Sequence, residues 1–236
     1  MFFFRHEQSA QAPSPECEYG QMVSFFYAGT TAFYASAWSA HGDLFMRILS
    51  TVLFEKTGPL NTDVCIQTVQ RYLKEHAVQY VVVASTSGIT ARAFHAALKD
   101  MDVNLVIVTH SVGFKEPNHD EFNPEIRAEL GASGVGICTG TILTHALEKS
   151  IMEKFGGSYP GSIIASTLRR FGEGTKVAVE IVMEACDAGL IPEDAEVLAA
   201  GGTGRGTYTI LLIKSKPSKR FLDLEVLEIL ARPRGR

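Results

Sequence analysis

The chain lacks the features that mark several large classes of protein. It has no surplus of positive charge: 22 Lys and Arg stand against 26 Asp and Glu, for a formal net charge of -4 and a pI near 6.0. A polynucleotide partner needs clustered cations to neutralise phosphates, so no nucleic-acid partner is expected. Cysteine is scarce, and Cys17, Cys65, Cys138 and Cys186 form no C-x-x-C pair. That spacing argues against a zinc site and against a disulfide framework, and it fits a reducing, cytoplasmic compartment. Cys65, Cys138 and Cys186 sit among apolar neighbours, the setting of small buried hydrophobes rather than of nucleophiles. No internal repeat breaks the chain into modules.

A different shortage marks the beginning. Residues 19–41 are uncharged and long enough to cross a bilayer, yet they contain almost no Leu, Ile or Val and many Ser, Thr and Gly. Insertion would be marginal, and no membrane association is expected. Ala35-Ser36-Ala37 resembles a signal-peptidase site, but Glu7 and Glu16 precede it and Arg5 is the lone cation, so it does not read as an export signal. Residues 1–45 show no sustained period of 2 or 3.6 and are taken as a disordered extension, with Met46 an alternative start. The body, residues 46–236, carries 21 basic and 22 acidic side chains once the extension's one and four are removed. It is nearly neutral and long enough for a single domain with a sizeable core.

What is present in that body is an alternation of short β-branched runs with longer amphipathic ones. Strands are expected at residues 48–54, 80–84, 103–108, 196–200, 208–214 and 226–230, and Gly131, Gly134 and Gly136 end one helix and start a further strand. Helices are expected from Asn61 to about Glu75, from Thr90 to Lys99, over 140–155 and 160–171, and over 175–188, the last apolar nearly all round. This is the pattern of an open, mostly parallel sheet covered by helices on both faces. Little helix remains among the last three strands, so at least one pair there is expected to be antiparallel. The connection 109–123 is long and polar, as functional loops often are.

Two loops carry candidate chemistry. After the apolar run 80–84 come Ser85, Thr86, Ser87, Gly88, Ile89 and Thr90, small hydroxyl residues and a glycine at the head of a helix. Such a turn can aim side-chain oxygens and backbone amides at an anion while the helix adds its positive dipole end. Gly88 permits a positive φ and a close backbone approach. Simple helix capping would use the same residue types. The second loop, Gly201, Gly202, Thr203, Gly204, Arg205, Gly206, has the wrong spacing and context for a dinucleotide fingerprint, since a strand follows it. It reads either as a flexible hairpin or as a wall that closes over phosphate oxygens with Arg205.

These two loops together resemble the C-terminal domain of pyruvate kinase, and the body more closely resembles the stand-alone pyruvate kinase C-terminal-domain-like family. The matching stretches are Phe54-Glu55-Lys56-Thr57-Gly58 with Asn61-Thr62, Val83-Ala84-Ser85-Thr86, Val108-Thr109 with Gly113-Phe114, Val179-Glu180-Ile181, residues 199–205, and Arg232-Pro233-Arg234. The family pattern has an aromatic and a His after the Thr, whereas here His110 follows Thr109 directly. The resemblance implies a three-layer α/β/α fold with a mixed, mostly parallel five-stranded sheet, and it implies flavin mononucleotide (FMN) as ligand. The catalytic barrel of pyruvate kinase has no counterpart in this sequence, so that enzyme's activity is not expected.

For the rest of such a site the candidates are Asn61 and Thr62 beyond the first strand and Thr109, His110, Gly113 and Phe114 beyond the third, because ligands of open α/β sheets bind at those ends. Capping is the competing role for Asn61 and Thr62, and a solvent-exposed loop position for His110. Glu180, Glu184 and Asp187 share one face of their helix. Glu184 and Asp187 are expected to meet water, and Glu180 to face the pocket with a flavin N–H or Arg205 as partner. The leading expectation is a protein that binds a phosphorylated small molecule. The alternatives are a flavin-dependent oxidoreductase and a regulatory module that senses a phosphorylated metabolite; association of copies is left open.

Overall fold

Where an apolar run is unbroken, the strand lies at the centre of the sheet. Val81, Val82 and Val83 of β2 (Tyr80–Ala84) are fully buried, as are Val197, Leu198, Ala199 and Ala200 of β5 (Glu196–Gly201). Helices cover both faces of these strands, so no position is left for a polar side chain. The computed structural model describes residues 49–235. The extension expected over residues 1–45, with Met46, lies outside the described residues.

The remaining strands are β1 (Val52–Phe54), β3 (Asn104–His110), β4 (Gly136–Gly140), β6 (Thr209–Lys214) and β7 (Glu225–Pro233). They complete a seven-stranded sheet in the order β1-β7-β6-β5-β2-β3-β4. The five-stranded sheet implied by the resemblance is therefore corrected. Short edge strands account for the difference: β1 adds to one side by parallel pairing with β7, and β4 to the other by parallel pairing with β3. β6 alone among the described strands runs against the others, pairing antiparallel with both β5 and β7. The short turn between β5 and β6 leaves no room for a crossover helix, which dictates that reversal.

The helices are α1 (Thr62–Glu75), α2 (Ile89–Leu98), α3 (Pro124–Ala132), α4 (Ala146–Phe155), α5 (Pro160–Leu168) and α6 (Glu173–Asp187). Strand alternation sends Val81 and Val83 into one core with Val69, Phe94, Ile126 and Leu130 of α1 to α3. Val82 points the other way, into a core with Val179 and Val182 of α6. α3 begins where Pro124 follows Asn123, whose side chain accepts from the amides of Glu125 (2.8 Å) and Ile126 (3.0 Å). The helix expected from residue 140 starts later, at Ala146, because Gly140 still belongs to β4 and Thr144 is held by a side chain of α6.

Topology places the functional end. From β2 the chain moves outward through β3 and β4, then crosses on the opposite face through α4, α5 and α6 to enter β5 on the other side of β2. The β2–β5 boundary is thus a switch point, where the connecting segments leave in opposite directions and open a crevice beyond the carboxyl ends.

Candidate functional site

A cavity of about 900 Å³ occupies that crevice. It is lined by the turn after β2, the carboxyl end of β3, the loop after β5 and one face of α6.

The turn after β2 leaves a row of backbone amides without acceptors among the described residues. The Ser85 amide continues the ladder by donating to the Val108 carbonyl (3.0 Å), and the buried Ser85 hydroxyl accepts from the Ala91 amide (3.2 Å). Ser85 thus ties the end of β2 to the first turn of α2, although it is not the N-cap residue. Gly88, at the N-cap position, has φ 90 and no side chain to offer. Among the described residues, the amides of Ser87, Gly88, Ile89 and Thr90 donate to no protein acceptor. Unsatisfied amides at a helix start, aligned with its dipole, attract an anion. The close approach made by Gly88 is to protein rather than to the cavity: a Cβ there would lie 3.0 Å from Ile126 Cγ2 and 3.1 Å from Phe122 Cε1.

Across the turn stands His110, at the end of β3. Its Nε2 is 2.9 Å from the Thr86 hydroxyl, and its Nδ1 is 3.2 Å from Glu121 Oε2. Phe114 packs on the ring with centroids 4.5 Å apart, and Lys115 pairs with the other Glu121 oxygen. Partial burial holds the His110 pKa below its ordinary value, with Glu121 opposing and Lys115 reinforcing that shift. Thr109 ties the two strands' ends together by donating to the Thr86 carbonyl (3.4 Å).

The third wall is a polar stripe on α6. Lys176 and Glu180, one turn apart, form a buried ion pair. Glu180 also accepts from the Thr144 amide (3.0 Å) and the Thr144 hydroxyl, which pins the segment before α4. Burial lowers the Lys176 pKa against the pull of Glu180. Glu184, expected to meet water, is instead only 6% exposed. Burial first, and then the charge of Glu180, push its pKa up to about 8, so it is protonated at neutral pH. The Gly140 backbone makes space for it, since a Cβ there would be 2.7 Å from Glu184 Oε2. Asp187 is exposed as expected and accepts from the Ser218 amide (3.0 Å).

The glycines after β5 serve packing. A Cβ at Gly201 would lie 2.3 Å from the Gly174 carbonyl of α6, and one at Gly206 would lie 2.4 Å from Pro59 Cα. The Thr207 amide donates to the Thr62 hydroxyl (3.1 Å), which fastens the loop to the start of α1. Arg205 is exposed and forms no ion pair among the described residues. It is not the partner of Glu180; Lys176 is.

Of the candidates read from sequence, Ser85, Thr86, Ser87, Ile89, Thr90, Thr109, His110, Phe114, Glu180, Gly202, Thr203, Gly204 and Arg205 line this one cavity. Asn61, Gly88, Gly113 and Gly201 do not. Asn61 occupies the N-cap position of α1 without capping it; its side-chain amide donates to the Lys56 carbonyl (2.7 Å). Sequence reasoning missed Lys176, His145, Glu121 and Lys115 as lining residues, and it missed Glu184 as a buried one. The α6 group had a signal: Glu173, Lys176, Glu180 and Glu184 fall on one helical stripe of an otherwise apolar segment.

No group of three His, Cys, Asp or Glu side chains among the described residues is placed to hold a metal ion. No described helix is long and apolar enough to cross a membrane. Burial drives the Cys65 thiol up to about 12, which leaves no thiolate there. No protein-family model matches the chain.

Proposed function

We propose that the chain binds a phosphorylated small molecule with its phosphate on the amides of residues 87–90, and that FMN is this ligand. The observation that carries the reading is the row of amides without protein acceptors at the start of α2, on the wall of a cavity large enough for a nucleotide. Membership in the pyruvate kinase C-terminal-domain-like family belongs to the same proposal and rests on the sequence motifs; FMN as the particular ligand follows from it.

The lining fits such a molecule. Charge in the cavity is balanced: Asp63, Glu121, Glu173 and Glu180 are offset by Lys115, Arg169, Lys176 and Arg205, while Glu184 is neutral at pH 7. Anion selection therefore falls to the local amides, with Arg205 as an unpaired cation nearby. Ala93, Val108, Phe114, Ile142 and Ile181 supply apolar wall for a ring system. The Glu184 carboxyl, as an acid, can both donate and accept toward a heterocycle edge. A flavin bound there supplies hydride and one-electron transfer.

Titration with FMN and with riboflavin, followed by flavin fluorescence and by absorbance, tests the reading. FMN is expected to bind at about one per chain and at least ~10-fold more tightly than riboflavin, since charge-assisted hydrogen bonds to the phosphate contribute roughly 1.5–3 kcal/mol. Equal affinities, or no uptake of FMN, would overturn it.

A further inference from the structure

Beside the amides assigned to the phosphate, the turn after β2 carries a hydroxyl, a ring and a carboxylate that phosphate binding does not use. Thr86 Oγ1, His110 Nε2, His110 Nδ1 and Glu121 Oε2 form a continuous line, with separations of 2.9 Å from hydroxyl to ring and 3.2 Å from ring to carboxylate. That Glu121 oxygen is buried and accepts no hydrogen bond among the described residues, so what joins it to the ring is proximity and charge. A carboxylate 3.2 Å from Nδ1 favours a proton on that nitrogen by its charge, and with the proton there Nε2 accepts from the Thr86 hydroxyl. Phe114, against the ring, holds its orientation. Thr86 lies on a strand-turn-helix corner, lines the cavity, and is followed directly by the unpaired amides of Ser87 and Gly88.

We propose that Thr86 is a nucleophile, that His110 is its general base, and that the chain hydrolyses a carboxylic ester bound in this cavity. Oγ1 attacks the ester carbonyl carbon while its proton passes to Nε2, and the carbonyl oxygen takes negative charge against the amides of Ser87 and Gly88, so an ester and a phosphate occupy this turn in alternation. The ester C–O bond then breaks, and the departing alcohol takes the proton from Nε2. Water attacks the acylated Thr86 and gives its proton to Nε2. The acid leaves as Oγ1 recovers that proton, so ester and water become acid and alcohol with the protein unchanged. Glu121 touches no reacting atom; it is a positioning residue whose nearby charge stabilises the charged form of the ring. Partial burial lowers the His110 pKa from its ordinary value, which favours the uncharged ring that a base needs, and Glu121 and Lys115 are the charged groups that face it.

The inference does not rest on FMN binding, which flavin titration reports separately. The full chain is treated with a fluorophosphonate probe, whose phosphorus an activated hydroxyl attacks with loss of fluoride, and the adduct is located by peptide mass spectrometry. Hydrolysis of p-nitrophenyl acetate is followed alongside. The expected result is an adduct on Thr86, hydrolysis abolished by Thr86→Val and restored in Thr86→Ser, and a fall on the order of 100-fold in His110→Asn. In Glu121→Gln the midpoint of the pH–rate profile is expected to move to lower pH, because the carboxylate that supports the charged ring is gone. Labelling of the unsubstituted chain requires no variant to fold. An unlabelled Thr86, hydrolysis undiminished by Thr86→Val, or a pH midpoint left in place by Glu121→Gln would overturn the proposal.

Discussion

Glu184→Gln is expected to make the protein more stable, and only above a definable pH. In the unfolded chain this carboxyl titrates near 4.5, and in the folded protein near 8. Between those values the folded state holds a proton that the unfolded state has lost. Stability therefore falls as pH rises through the window, by ~1.4 kcal/mol per pH unit, and the full loss, on the order of 3 to 5 kcal/mol, is reached above the folded value. Below the unfolded value both states are protonated and the effect vanishes. Glutamine keeps the shape and the hydrogen-bonding capacity but does not titrate. Urea unfolding of both proteins across the window checks this: the stability difference should be flat on the acid side, grow with pH, and level off on the alkaline side. His110, His145 and Lys176 titrate in both proteins and largely cancel in the difference. Two curves that stay parallel throughout would show that Glu184 is solvated and ionised, and would refute the burial argument.

Three other perturbations separate packing from binding. Gly88→Ala places a Cβ against Ile126 and Phe122 at φ 90, and is expected to cost about 1 to 3 kcal/mol in thermal or denaturant unfolding. Lys176→Met strands the buried Glu180 carboxylate and should cost about 3 to 5 kcal/mol. Adding Glu180→Gln should recover much of that loss, measured in the same unfolding assay. Ser87→Asp brings a carboxylate to the unpaired amides at an exposed position. It should weaken FMN binding by at least ~10-fold and leave riboflavin binding and unfolding unchanged, since like charge and occupied amides act only on the phosphate.

Much of this architecture was legible from local pattern. The unbroken apolar runs of β2 and β3 read as buried strands, and the scarcity of helix among the last three strands pointed to at least one antiparallel pair, which β6 supplies. The hydroxyl-rich turn with Gly88 was recognisable because a helix start exposes amides whatever lies around it. Edge strands were harder to place: β1 has three residues, and what makes it part of the sheet is β7, far along the chain. The boundary at Ala146 was equally invisible, because the segment before it is held by Glu180, 36 residues away from Thr144.

By itself, then, the sequence determined the alternation of strand and helix, the mostly parallel sheet and the amide-bearing turn at residues 85–90, all of which depend on neighbours a few positions apart. Tertiary structure alone decided which polar groups are buried. Glu184 and Asp187 read alike along the helix, both expected to meet water, yet the first is protonated by burial beside Gly140 and the second is in water, while Glu180, expected at the pocket, is paired with Lys176. A carboxylate's state is set by the partners and the dielectric around it, and here both are supplied by segments remote in sequence. The meeting of Glu121, His110 and Thr86 has the same origin, for the long loop after β3 must fold back over the turn after β2 before the three can form a line.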